Sequence, residues 1–581
     1  MILVKSETIE NYVQKGWWSE QTLCDLLLHW SERRANELAV VDPPNKFEIS
    51  GCRPEQWTWC ELLNHVGRYA AVLQAQGLRK DDILVMQLPN CVEQHAIYLA
   101  CAISGIVVSP VPVQYRAHEL SHVMDITKAK LVITTQHVGQ FKVAQLWTEI
   151  AHQFASLQTI LSLGENLPRG VLSLSHLLLQ TPLWDTARIR AHLKANGVTA
   201  HDVLTICWTS GTEAKSKGVP RNHNEWLIVG RSVSQAGELK EGARLLIPFP
   251  FVNMAGVSTS LAAWILMGGT LHHHHPFDLT VFIEQLRAFP MDYSVAPPAV
   301  LNLLIKEPER MAGVNFSRLK RVGSGGGPLS EWMVTAMKQT FDIEVVNYFG
   351  SNEGAALSSS PLDIPDSTQR ALYFPRMGVP QFNWNMDVAQ IIQTRLVDID
   401  TQQDIVEEGR LGELRFKGPT IFSGYFKSPS LTEKAFDEQG FYRTGDLFEI
   451  AGDKGQYYRF AGRHKDIVIR GGMNISSEEI EGLLMSHPAV RDVAIIGIPD
   501  AIMGERVCAV VVLQTTEALT LQHLIDHLRS VKQVASFKLP ESLVFVDELP
   551  RNPVGKVLKR ELRERYTNAF IASRKPMETA L

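Results

Sequence analysis

From residue 82 the apolar residues fall into strand-length runs separated by helix-length runs: strands at 83–88, 106–110 and 130–134, and helices at 92–104 and 120–128. Two neighbouring strands joined by a helix must run parallel, because the crossover returns the chain to the edge it left. A second round runs from 203 to about 347, with strands at 203–207, 245–247, 269–273 and 291–295 and helices at 255–267 and 279–289. Ahead of these lie helical patterns at 23–34 and 59–76, with Leu38-Ala39-Val40-Val41 as a strand between them. The predicted fold is α/β: a large N-terminal domain, 1–462, of doubly wound sheets, with a strand-rich subdomain beginning at 410–424. A chain of 581 residues is too long for one core. Residues 463–581 carry their own strand and helix pattern and read as a small α+β C-terminal domain. Gly462-Arg463-His464-Lys465-Asp466 is its linker.

Charge excludes some partners. A net charge of -5 gives no basic face for nucleic acid. The seven cysteines are scattered with no C-x-x-C pair, and the first residues lack a basic-then-apolar leader, so a reduced cytoplasmic protein is expected. The most apolar stretches, 96–113 and 254–271, are broken by Gly, Ser and Pro and read as core pieces, with no membrane span. His272 to His275 form an internal strand-like run whose successive rings point to opposite faces, a poor arrangement for one metal ion. The polar segment 362–374 reads as a surface loop.

The chemistry is concentrated where strands end in loops. The apolar run 203–207 leads into Trp208-Thr209-Ser210-Gly211-Thr212-Glu213-Ala214-Lys215-Ser216-Lys217-Gly218, which offers hydroxyls, ammonium groups and backbone N–H donors to a polyanion. It is no P-loop, because no Gly-Lys-Ser/Thr closes it before a helix. A second glycine-rich turn, Gly323-Ser324-Gly325-Gly326-Gly327-Pro328, lets a ligand approach the backbone closely. The chain has no Gly-x-Ser-x-Gly elbow, which argues against a serine hydrolase using the hydroxyl-rich loop.

Together these segments resemble the motifs of adenylate-forming enzymes, the superfamily of acyl- and aryl-CoA ligases, peptide-synthetase adenylation domains and luciferases. The resemblance rests on the 209–218 loop, Ser324-Gly325-Gly326-Gly327-Pro328-Leu329, Phe349-Gly350-Ser351-Asn352-Glu353, Tyr442-Arg443-Thr444-Gly445-Asp446, Gly462-Arg463-x-Lys465-Asp466 and Asn552-Pro553-x-Gly555-Lys556. It implies ATP, Mg2+ and CoA as cofactors. Lys556 would bridge the acid and the α-phosphate, and Asn352 would donate to an α-phosphate oxygen. Thr209, Ser210, Gly211, Thr212 and Lys217 would hold the outer phosphates, and Glu353 the Mg2+. Gly325 and Gly326 would line the nucleotide, Phe349 would stack on adenine, and Asp446 with Arg463 would hold the ribose. Gly472 would leave room for a pantetheine arm, and the C-terminal domain would be mobile about Lys465. The chain departs from the pattern at Glu213-Ala214 (usually Thr-Gly), Ser216 (Pro), Asn352 (Thr) and Phe349 (Tyr).

Softer motifs, Gln87-Leu88-Pro89-Asn90 and Pro220-Arg221-Asn222-His223-Asn224 among them, look like those of 2,3-dihydroxybenzoate-AMP ligases and related aryl- and cyclic-acid-CoA ligases. In such enzymes the acid pocket is lined by the segment that here includes Val252, Asn253, Met254 and Val257, joined by Gly326 and Ser351. Val252 stands where the dihydroxybenzoate ligases carry His, so an apolar medium-chain, cyclic or aryl acid is expected. A pantetheine thiol belongs equally to CoA and to an acyl or aryl carrier protein; no carrier domain follows Leu581, which favours CoA. A stand-alone aryl-acid adenylating enzyme and a non-catalytic nucleotide-binding protein remain the alternatives. Oligomeric state is not legible.

Overall fold

The computed structural model describes residues 1–209, 215–325, 329, 331–463, 467–484, 487–513, 519–550, 557 and 559–573. Two units emerge: residues 1–113, 123–209 and 218–462 form the first, and residues 114–122, 210–217 and 463–581 the second.

The first unit contains two large sheets. One has seven strands, in the spatial order Val171–Ser173, Thr159–Leu163, Leu131–Thr135, Ile83–Gln87, Val107–Pro110, Val203–Thr209 and Lys217–Asn222. Its strands are parallel from the first through Val203–Thr209. The other has eight, ordered Ala356–Ser359, Glu344–Gly350, Arg321–Gly325, Tyr293–Val295, Arg244–Ile247, Thr270–His273, Leu38–Val41 and Gln56–Thr58. It is parallel at its centre and antiparallel at both ends. The alternating pattern of the sequence therefore produces the parallel layers it implies. One hydrophobic cluster draws on strands of both sheets, and within it Trp59 and Trp264 stack at 4.8 Å, with the Trp264 indole N–H donating to Ala39 O at 2.9 Å.

Several helix starts are fixed by reciprocal caps: Thr22 with Asp25, Thr58 with Glu61, and Asn222 with Glu225. The helix expected at 255–267 runs from Met254 but carries a π turn over Ser258–Ala263. A third sheet of five strands joins Tyr373–Pro375, Tyr457–Arg463, Tyr442–Ala451, Gly412–Lys417 and Gln393–Val397. The strand-rich subdomain therefore starts well before 410.

One expectation is overturned. Segment 362–374 is not a surface loop: Ser367–Leu372 is a helix capped by Asp366, and Tyr373–Pro375 is a strand. Arg370 is fully buried there, donating to Ile364 O, Pro365 O and Val345 O and pairing with Glu344. Its charge reads as solvated in sequence, yet carbonyl oxygens satisfy it inside.

His272 to His275 are all buried. The His274 ring bonds Gln285 Oε1 at 2.8 Å, and His273 packs on His95 at 4.7 Å. Among the described residues no group of three or more His, Cys, Asp or Glu side chains could hold a metal. Burial lowers the pKa of His95, His223, His272 and His275 to about 4 each. An imidazole whose folded pKa lies below its ordinary value near 6.5 stabilises the fold above that value and loses the contribution as pH falls towards 4. These four imidazoles should lower the melting temperature between pH 7 and pH 5, an effect that the carboxyl of Glu225, whose pKa is raised to about 7, opposes in part. A flat profile in scanning calorimetry over that range would contradict this burial.

The second unit has its own sheet, Met473–Ser476, Ile467–Arg470, Gly504–Leu513 and Val490–Asp500, with Ser542–Phe545 pairing Gly504–Leu513. Its core is the cluster around Val468, Ile480, Ile495, Val511 and Leu528. Within this unit Lys538 and Glu119 form a buried pair at 3.5 Å. No helix among the described residues is long and apolar enough to cross a membrane. All seven cysteines are free.

Candidate active site

Parallel strands present their C-terminal ends to ligands, and in the first unit three strand ends carry residues singled out by motif. Thr209 ends Val203–Thr209. Among the described residues its buried hydroxyl meets no hydrogen-bond partner, and neither does that of Ser351. Buried orphan hydroxyls of this kind fit a ligand that supplies acceptors. Gly325 ends Arg321–Gly325, and a Cβ there would stand 2.4 Å from Tyr348 O, so the backbone is bare where it passes its neighbour. Lys217, the last residue of the 210–217 segment that groups with the second unit, opens the strand Lys217–Asn222 and is half-buried.

Asn352 and Glu353 follow the strand Glu344–Gly350. Glu353 is only 6% exposed, and its Oε1 accepts from the Tyr425 hydroxyl at 2.8 Å. Its own carbonyl accepts from Phe422 N at 2.9 Å. The Asn352 amide is held at both ends: Oδ1 accepts from Met254 N at 2.7 Å, and Nδ2 donates to Trp208 O at 3.1 Å.

Beneath this turn lies Arg221, fully buried, donating Nη1 to Asn352 O at 3.2 Å and Nη2 to Thr420 O at 3.0 Å and Glu225 O at 3.2 Å. Burial lowers the Arg221 pKa, opposed by the charges of Glu225 and Glu353. Burial likewise raises that of Glu225 to about 7, opposed by the guanidinium and the Asn222 N–H. Gly354 has φ +98°, and a Cβ would stand 1.8 Å from Thr420 O and 2.6 Å from Arg221 Nη1. Only glycine lets the chain leave Glu353 over the guanidinium.

The segment after Arg244–Ile247 supplies an apolar wall. Asn90 pins it twice, donating Nδ2 to Phe249 O at 2.8 Å and accepting from Phe251 N at 3.0 Å. The Tyr98 hydroxyl donates to Phe251 O at 2.8 Å. Asn253 caps the next helix by accepting from Gly256 N at 3.2 Å, while Val252, Met254 and Val257 are buried. Gly256 is obligatory, since a Cβ would meet Pro250 O at 2.0 Å.

Phe349 is half-buried in a phenylalanine cluster, edge-on to Phe448 at 5.1 Å and near-parallel to Phe416 at 6.4 Å. Asp446 is buried on the strand Tyr442–Ala451, beside Gly445 at φ +71° and opposite a register shift between Glu413 and Arg415. Such a bulge re-aims side chains. Its backbone N–H donates to Thr444 Oγ1 at 3.0 Å. Ser210, Gly211, Thr212, Gly326, Lys465 and Lys556 lie outside the described residues, as does the Arg463 side chain. In the second unit Gly472 is exposed at φ +78°, with no heavy atom within 4 Å of where a Cβ would sit. Asn90, Tyr98 and Arg221 were not predicted as site residues. Apart from Glu225 O, four residues from Arg221, their partners are backbone atoms far away in sequence, which no local pattern reveals.

A buried glutamate on a strand-end turn and unpartnered hydroxyls at Thr209 and Ser351 thus lie in the same unit as an apolar wall that is hydrogen-bonded to the glutamate's turn through Met254 N. The AMP-binding enzyme family matches residues 27–426, and the AMP-binding enzyme C-terminal domain matches residues 479–556. The chain belongs to this family and is an adenylate-forming enzyme. It is 29% identical to the medium-chain fatty-acid–CoA ligase of Escherichia coli K12, over 95% of this chain and 92% of that one. It is 27% identical to the vibriobactin-specific 2,3-dihydroxybenzoate-AMP ligase of Vibrio cholerae, over 97% of each. The fold matches that of the amide bond synthetase McbA from Marinactinospora thermotolerans with a TM-score of 0.74 at 21% identity, covering 94% of this chain and 100% of that one.

Proposed function

We propose that this enzyme uses ATP and Mg2+ to convert a medium-chain, cyclic or aryl carboxylic acid to its acyl-adenylate, releasing pyrophosphate, and then transfers the acyl group to the thiol of CoA. The observation that carries the reading is the apolar wall of Val252, Met254 and Val257, hydrogen-bonded through Met254 N to the turn that bears Glu353. An acid seated on that wall meets no charged side chain from it, which suits an apolar tail. The name of the Escherichia coli relative supports a medium-chain acid and CoA.

The reaction places negative charge on the α-phosphate and on departing pyrophosphate, so the protein's task is to hold donors and cations around them. Thr209 offers a hydroxyl, and Lys217 with Ser210, Gly211 and Thr212 would complete the phosphate cradle, while Ser351 with Asn253 and Gly326 would join the acid pocket. Glu353 would hold Mg2+, which supplies charge neutralisation at the phosphate oxygens; one carboxylate suits an ion that keeps its waters. Asp446 and Arg463 would hold the ribose, and Phe349 with Gly325 and Gly326 the base. Lys556 would bridge acid and α-phosphate. We further propose that 463–581 moves about Lys465 between the half-reactions, that Gly472 then faces the pantetheine arm, and that the enzyme works in the cytoplasm.

Transfer to a carrier-protein phosphopantetheine is the second reading, favoured by the Vibrio cholerae relative's name as an AMP ligase. Mass spectrometry of the purified chain with ATP, Mg2+ and a panel of C6 to C12, cyclic and aryl acids, with and without CoA, decides between them. Acyl-CoA together with AMP is the expected result. Acyl-AMP that accumulates whether or not CoA is present would move the carrier-protein reading to first place, and no nucleotide turnover with any acid would leave a non-catalytic binding protein.

A further inference from the structure

We propose that Asn352 is a positioning residue that ties the acid-pocket wall to the strand bearing Thr209, so that nucleotide binding is felt at the pocket. The inference rests on the reading above that these are the acid and phosphate sites, and it assigns this side chain a role other than direct phosphate contact.

The geometry is that of a strut. Asn352 Oδ1 accepts from Met254 N at 2.7 Å, and Met254 opens the helix that supplies the wall. Its Nδ2 donates to Trp208 O at 3.1 Å, one residue before Thr209. Asn352 itself is 9% exposed, and its carbonyl is fixed from below by Arg221. One planar amide with an acceptor at one end and a donor at the other can bond to two main chains at once. The threonine usual in this motif carries a single hydroxyl on Cβ and lacks that span. Both contacts are to backbone, so neither depends on which side chains line the pocket.

On the other side of the strut, the wall is pinned independently at Phe249 and Phe251 by Asn90 and Tyr98. Among the described residues the hydrogen-bond partner of Met254 N is Asn352 Oδ1. A displacement at Trp208 is thus transmitted to the first turn of the helix rather than absorbed along 249–252. Coupling through a shared hydrogen-bonded element is reciprocal, so acid occupancy would also be felt at the phosphate strand.

Hydrogen exchange by mass spectrometry tests this on the full chain, using Mg2+ with α,β-methylene-ATP as the probe and N352A and N352D as the variants. Without nucleotide, N352A should exchange about tenfold faster in peptides spanning 251–257, because the Met254 amide loses its acceptor. N352D keeps that acceptor and should stay slow. With nucleotide, the wild type should gain protection over 251–257, whereas N352D, which has lost the donor to Trp208 O, should not. In steady state N352A should raise KM for C6 to C12 acids about tenfold and KM for ATP less than threefold. Exchange over 251–257 that is equal in N352A and wild type, or a nucleotide response that survives in N352D, would overturn the strut. A uniform fall in kcat with unchanged exchange would assign Asn352 to direct phosphate contact instead. Failure of the wild type to bind the nucleotide would sink the proposed function, while the nucleotide-free comparison of N352A with N352D would still decide the strut.

Discussion

Replacing Lys556 with alanine should slow acyl-adenylate formation by about a hundred- to a thousand-fold, the usual cost of deleting one preorganised donor from a developing oxyanion. The carboxylate and the α-phosphate repel each other as they approach, and an ammonium between them offsets that repulsion only while the acid attacks. Thiol transfer breaks a different bond and gains nothing from the same cation. The variant should therefore still convert a supplied acyl-adenylate with CoA at near the wild-type rate. Gly472→Leu should show the opposite split. Gly472 sits at φ +78° with open space where its side chain would point, so a leucine fills the proposed path of the pantetheine arm. Any side chain at that φ brings about 1–2 kcal/mol of backbone strain. Gly472→Ala carries the strain without the bulk and separates the two effects. Rapid-quench assays of each half-reaction read the split. Equal loss of both half-reactions in Lys556→Ala and Gly472→Leu would end the two-conformation reading.

The parallel sheets were legible because hydrophobic periodicity and strand-helix alternation are local properties. The runs at 83–88 and 203–207 appear as Ile83–Gln87 and Val203–Thr209. Glu353 and Asp446 were singled out by motif spacing alone; the fold adds that both are buried, one in the turn after Glu344–Gly350 and the other on Tyr442–Ala451. Arg370 and Arg221 were not singled out, because a lone arginine in sequence reads as solvated, and each is held inside by carbonyl oxygens that include one from a distant segment, Val345 O for Arg370 and Thr420 O for Arg221. The same limit hid the buried cluster in which Lys46 Nζ lies 2.6 Å from Asp42 Oδ2 and 2.7 Å from Glu93 Oε1. Asn352 is intermediate: its place in the motif marked it as important, but only the fold shows that both ends of its amide bond to main chain.

Arg221→Met should destabilise the first unit by about 3–5 kcal/mol, the range for breaking a buried charge arrangement by removing one partner. The guanidinium donates to three carbonyls, of Asn352, Thr420 and Glu225, and methionine leaves all three without that donor. It also removes the cation that opposes desolvation of the Glu225 carboxylate. The pH dependence carries a definite sign. Glu225 is held at about 7, above the ordinary glutamate value, so folded protein disfavours its ionised form and stability falls as pH rises towards 7. Without Arg221 that pKa climbs further, and the fall continues above pH 7 where the wild type has levelled off. The gap in melting temperature between Arg221→Met and wild type should consequently widen from pH 6 to pH 8.5. Arg221→Lys keeps the charge but not the forked donors, and should recover the pH profile better than the stability. Because Arg221 fixes the Asn352 carbonyl, one bond from Glu353, the lysine variant should also need more Mg2+ for half-maximal adenylation. A constant gap across pH would show that the guanidinium serves only as a hydrogen-bond donor, and an unchanged Mg2+ requirement would separate it from the placement of Glu353.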